Sequence, residues 1–196
     1  SMVGPNPNLI RLSANENPYG PSTKALNAAA SASAKGAYYP GRITAELVEM
    51  IANRNKLNTN QVVISSGSNE ALSAAGVGWG KQGEIVSPSL TYDLHLGNAQ
   101  RIGPKVLRVP LDETMSIDLD AMAAAVNKNV SMVYLCNPNN PTGKTIDGDV
   151  LRNFCRTVGQ KVTILVDEAY NELTVDPNFS SMVDLVREGE NVIVMR

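Results

Sequence analysis

Short apolar runs alternate with helical periodicity along most of this chain. Runs at 62–65, 84–87, 106–109, 130–135, 162–166 and 192–195 are rich in Val and Ile. Between them, patterns of helical spacing predict helices over 69–79, 91–101, 118–126 and 148–158. In 44–55, "TAELVEMIANRN", Leu47, Val48, Ile51 and Ala52 fall on one helical face. The Ala-rich stretch 21–35 predicts another helix, with Pro21 and Ser22 at its start. Residues 1–20, rich in Pro and Asn with little apolar periodicity, read as an arm lying on something else. Strands that alternate with helices need crossover connections, so the pattern predicts an α/β fold. Its sheet is mostly parallel (mixed), with helices on both faces. Ligands in such sheets bind beyond the carboxyl ends of the strands, which directs attention to the loops after each run.

Composition narrows the partner. At 196 residues the chain suits one domain, or one domain and a fragment, and is long enough to bury a sizeable core. Seventeen Lys and Arg against nineteen Asp and Glu give a net charge of -2 without a basic block. A small-molecule partner is therefore expected, and neither nucleic acid nor a membrane. Cys136 and Cys155 show no C-x-x-C spacing and no disulfide framework, which fits a reducing, cytoplasmic setting. The single His95 argues against a His-rich metal site. No apolar stretch approaches the roughly 20 residues that span a bilayer. The start lacks a signal peptide's pattern, and Ser1 before Met2 reads as a cloning scar.

Three loops carry unusual chemistry. In "SSGSNEAL", Gly67 follows the first run and Ser68-Asn69 opens a helix. Unpaired N–H groups and the positive dipole end suit a phosphate there, although Ser or Asn is also what any helix start favours. In "CNPNNPTG", two Asn-Pro steps hold the backbone extended, and Gly143 permits a positive φ. This is either a rigid turn or a rigid turn that aims an Asn amide at a ligand. In "ILVDEAYNEL", a buried strand runs into Asp167-Glu168. A carboxylate there is costly unless it meets a cation or donors. Asp167 either caps a helix beside a solvated Glu168, or pairs with a protonated ring nitrogen while Tyr170 bonds a neighbouring oxygen.

Taken in order, "LSANENPYGPS", "AYYPG", "SSGSNEAL", "PSLTYDLH", "CNPNNPTG" and "VDEAY" resemble the fold-type-I aminotransferases that use pyridoxal 5′-phosphate, most closely the histidinol-phosphate aminotransferase branch. The similarity covers nearly the whole chain. It implies that Gly67, Ser68 and Asn69 bind the cofactor phosphate and that Tyr92 stacks on the pyridine ring. It implies further that Asn140 and Tyr170 bond the ring's phenolic oxygen and that Asp167 pairs with the pyridinium nitrogen. Tyr39, or its neighbour Tyr38, matches a tyrosine that reaches the phosphate of the other subunit, so a homodimer is implied. Tyr19 matches a region that closes over the substrate. The implied reaction moves an amino group between an amino-acid donor and a 2-oxo or phosphorylated keto acceptor. His95 has no matching role and is expected to pack or face solvent; both cysteines are expected to be structural.

The resemblance also implies a gap. Family members continue past the strand ending in "NVIVMR" to a Ser-and-Lys motif, whose lysine forms the Schiff base, and to a C-terminal domain with an arginine for the substrate carboxylate. None of Lys24, Lys35, Lys56, Lys81, Lys105, Lys128, Lys144 and Lys161 matches that lysine. The chain is therefore expected to be a truncated large domain: 1–35 as arm and helix, 36–196 as the N-terminal part of the cofactor-binding domain, the C-terminal domain absent. No catalytic residue is expected in it, nor activity of the chain alone. Two alternatives remain: a non-catalytic cofactor-binding or interaction module, and a related decarboxylase of phosphorylated amino acids.

Overall fold

The computed structural model describes residues 14–176 and 178–196. The expected arm over 1–20 lies outside them in its first part, 1–13. The chain forms two compact units, divided between Thr44 and Ala45. In the first, helix α1 spans Thr23–Ser33 and buries none of its residues. Alanine's high helix propensity and a cap account for it: the Ser22 hydroxyl accepts from the Ala25 N–H at 3.2 Å, satisfying one of the donors that a helix start leaves open.

The second unit carries the alternation read from the sequence. Helix α2 (Arg42–Asn55) crosses the boundary into it, and then follow α3 (Ser68–Gly80), β1 (Glu84–Pro88), α4 (Leu94–Gln100), β2 (Val106–Val109), α5 (Leu119–Ala125), β3 (Val130–Cys136), α6 (Gly148–Val158), β4 (Thr163–Asp167), α7 (Val183–Glu188) and β5 (Val192–Met195). The five strands form one sheet in the order β2-β1-β3-β4-β5, and every pairing is parallel. No described helix is long and apolar enough to cross a membrane.

Because neighbouring side chains on a strand point to opposite faces, each strand feeds two cores. Val133, Leu135, Ile164 and Val166 pack with Met122 of α5, Leu151, Phe154 and Val158 of α6, and Leu185 of α7. Met132, Tyr134, Cys136 and Leu165 pack on the other face with Leu72 and Ala75 of α3 and Leu96 and Ala99 of α4. Burial on both faces explains why the runs read as continuously apolar rather than alternating. Trp79 of α3 ties its helix to the sheet by donating its indole N–H to the Thr163 hydroxyl at 2.7 Å.

Two elements differ from expectation. The run 62–65 is not a strand. Val62 is extended, with φ -119° and ψ 127°, but no strand among the described residues lies beside it, and Val63 is 89% exposed. An apolar, β-branched run favours extended backbone, yet a strand exists only where a neighbour completes the ladder. Conversely, α7 escapes sequence reading because "VDLVRE" is too short to display a helical period.

The two-faced core makes a sharp contrast within α6. Leu151 is fully buried while its neighbour Val150 is 55% exposed. Leu151→Ala should cost about 2–5 kcal/mol and Val150→Ala no more than about 0.5 kcal/mol. Urea denaturation of both variants checks this.

Candidate functional site

The pairing of β3 with β4 sets the site. Cys136 lies opposite Asp167 in the register, and the Asn137 N–H donates to the Asp167 carbonyl at 2.9 Å. The Asn-Pro loop and the acidic strand end are thereby held side by side at the carboxyl edge of the sheet.

Each asparagine of that loop has a distinct task. Asn137, buried, accepts the Ile146 N–H on its side-chain oxygen at 2.9 Å. Asn139, also buried, donates its amide to the Leu90 carbonyl at 3.1 Å and the Thr142 hydroxyl at 3.0 Å, and accepts from the Thr91 hydroxyl at 2.8 Å. Gly143 closes the turn with φ 68°, and its N–H donates to the Asn139 carbonyl at 2.7 Å. The peptide bonds before Pro138 and Pro141 are both cis. Asn140 is the one that turns to the site, where its amide donates to the Tyr170 hydroxyl at 3.3 Å. The structure thus brings together Asn140 and Tyr170.

Asp167 is 3% exposed. Its carboxylate accepts the Ala169 N–H at 3.1 Å and the Tyr134 hydroxyl at 3.3 Å, and pairs with no cation among the described residues. Burial pushes its carboxyl above the usual carboxylate range, only partly opposed by those two donors. It is not the cap of a helix.

Glu168 corrects the picture of a solvated side chain. It is 1% exposed and turned to the opposite face, where it accepts from the Met182 N–H and the Ser181 hydroxyl, both at 2.7 Å. Arg196 completes its surroundings at 3.1 Å. The alternation of a strand, continued one residue past β4, sends the two adjacent carboxylates to different layers.

Gly67, with φ 82°, precedes α3, which starts at Ser68. The Tyr92 hydroxyl donates to the Asn69 side-chain oxygen at 2.8 Å, so the expected ring-stacking tyrosine meets the expected phosphate loop. Tyr19 and Tyr39 belong to the first unit, where their side chains are 93% and 99% exposed; Tyr38 is 78% exposed.

Sequence reading missed Tyr134, and His95 packs, one of the two fates expected of it. Tyr134 shares a sheet face with Asp167, two positions before Cys136 on β3, a relation visible only once the register is known. His95 packs edge-on against Tyr134, with centroids 4.4 Å apart, and stacks 6.2 Å from Tyr92. It is fully buried, with neither ring nitrogen hydrogen-bonded among the described residues. Burial lowers its pKa to about 4, with Asp93 opposing and Arg108 assisting. Both cysteines are buried, and burial pushes their thiols up to about 12, so they are inert packing groups.

The low His95 value sets a pH dependence. Between pH 6.5 and about 4 the unfolded chain binds a proton at His95 that the folded chain refuses. Stability therefore rises with pH across that window and is lost as pH falls through it, by roughly 3 kcal/mol in full. His95→Phe should flatten this part of the curve, read as urea midpoints at about pH 7 and about pH 4.5. An equal loss in both proteins would assign the acid sensitivity elsewhere.

The model of the family "aminotransferase class I and II" matches residues 7–196. The aromatic amino acid aminotransferase of Thermobifida fusca is 35% identical over 196 residues, which are 100% of this chain and 54% of that protein. Histidinol-phosphate aminotransferase 2 of Bacillus cereus is 32% identical over 189 residues, 96% of this chain and 51% of that protein. Among solved structures, histidinol-phosphate aminotransferase from Sinorhizobium meliloti, in complex with pyridoxal-5′-phosphate, superposes with a TM-score of 0.82 at 24% identity, over 92% of this chain and 49% of that one. The chain spans about half the length of the curated relatives it matches.

Proposed function

Since the chain belongs to the class I and II aminotransferase family, we propose that it forms the part of a pyridoxal 5′-phosphate-dependent aminotransferase that grips the cofactor. The reaction served moves an amino group between an amino acid and a 2-oxo or phosphorylated keto compound, as in the histidinol-phosphate branch. The observation that carries this reading is the buried Asp167 carboxylate, without a cation among the described residues, beside the Asn140–Tyr170 pair. A protonated ring nitrogen is the cation such a carboxylate requires.

Each residue then has a task. Asp167 holds the proton on the ring nitrogen, and Tyr134 orients Asp167 by donating to it. Asn140 and Tyr170 donate to the ring's phenolic oxygen. Gly67, Ser68 and Asn69 receive the phosphate at the start of α3, where backbone N–H groups and the dipole favour an anion. Tyr92, anchored on Asn69, covers one face of the ring. When bound, the cofactor supplies an electron sink for the pair released as the substrate Cα–H bond breaks. Tyr39 is proposed to serve the phosphate of a partner subunit in a homodimer, and Tyr19 to face the substrate. In this reading 1–35 is arm and helix, and 36–196 is the N-terminal part of the cofactor-binding domain.

Every lysine of the chain is exposed. None of them matches the family's lysine that links covalently to the cofactor, and the 196-residue chain alone should carry out no half-reaction. Equilibrium dialysis tests the grip: Asp167→Ala should weaken binding of pyridoxal 5′-phosphate about tenfold or more, with the circular dichroism unchanged. Undiminished binding would remove Asp167 from the site. Borohydride reduction followed by denatured mass measurement tests the lysine. The expected result is no stoichiometric adduct; one cofactor fixed on a single lysine would show that the chain carries its own anchor.

A further inference from the structure

On the face of the sheet opposite Asp167, a concavity of ≈ 360 Å³ lies among the C-terminal end of α2, α6, α7 and the residue after β5. Arg54, Lys56, Arg152, Arg187 and Arg196 line it, with Asp184 the only carboxylate of the lining. The end of α2 is brought to α7 by the Gln61 side chain, whose amide donates to the Val186 carbonyl at 2.7 Å.

The local carboxylates are already committed. Asp184 takes Arg152 at 2.8 Å, Asp149 takes the same guanidinium at 3.1 Å, and buried Glu168 takes Arg196 at 3.1 Å. Arg54, Lys56 and Arg187 also line the concavity, and their side chains make no hydrogen bond or ion pair among the described residues. Cations gathered in a concave surface repel one another, and a multivalent anion relieves that repulsion. The Ser180 hydroxyl, which accepts from Arg152 at 3.2 Å, adds a donor to the same wall, whereas Ser181 gives its proton to Glu168.

We propose that this concavity is a binding site for a small phosphate-class dianion, separate from the cofactor loops. Guanidinium forks of Arg54 and Arg187 take the oxygens in paired hydrogen bonds, and Lys56 adds a point charge. The volume admits a phosphate group with a short organic remainder. Since Arg196 bridges the concavity and Glu168, whose neighbour is Asp167, an occupied site would stiffen the strand ends that carry the cofactor loops.

Titrating the 196-residue protein with inorganic phosphate tests this, followed by two-dimensional NMR at low salt and again near physiological ionic strength. Saturable shifts centred on 54–56 and 183–187 are expected at both. Arg187→Gln and Lys56→Gln, both at exposed positions, should each weaken binding about tenfold. Shifts confined to 67–70, or binding unchanged in both variants, would place the anion at the start of α3 and overturn the proposal. Shifts that vanish near physiological ionic strength would show diffuse attraction and overturn it as well.

Discussion

The parallel pairing of β3 with β4 is the constraint on which the candidate site depends. Five successive register partners, ending with Cys136 opposite Asp167, decide that the Asn-Pro loop and the acidic strand end leave the sheet together. A slip of one residue would turn Asp167 from the α3–α4 face to the α5–α7 face and exchange it with Glu168. The apolar side chains of both strands prevent this, because each face is buried and neither tolerates the other's residues.

Adjacent carboxylates in opposite layers meet opposite fates. Glu168 is satisfied internally by a backbone N–H, a hydroxyl and the Arg196 guanidinium. Asp167 has a backbone N–H and a phenol but no cation among the described residues. Both carboxyls are raised by burial, and among the described residues Glu168 alone of the two has a positive charge, that of Arg196, set against it. Glu168 is thus a structural clamp between β4, the start of α7 and Arg196. Around Asp167, His95 is held neutral between Tyr92 and Tyr134, so the aromatic layer under the site adds no competing cation.

Much of this was legible in order along the chain. The alternation of runs and helices announced a parallel α/β sheet, and five of the six runs take their places in it. The exception, 62–65, shows the limit: extended backbone is a local preference, and a ladder partner is not. The Asp-x-x-Tyr strand end stood out because a buried carboxylate is costly unless it meets a cation or donors, whereas only the family resemblance told the Asn-Pro-Thr-Gly loop from a rigid turn. Residue chemistry alone did not tell Asn137, Asn139 and Asn140 apart, since they are the same residue type within four positions; the family resemblance singled out Asn140.

By itself the sequence determined the fold class, the family and the loops that matter, because periodicity, turn chemistry and motif order are properties of neighbours in the chain. Tertiary structure alone decided what depends on partners distant in sequence. It gave Tyr134 its place on Asp167 and Glu168 its arginine, and it gathered Arg54 and Lys56 into one concavity with Arg187, more than a hundred residues further along the chain. Register and packing join such residues, and neither is written in any single stretch of the chain.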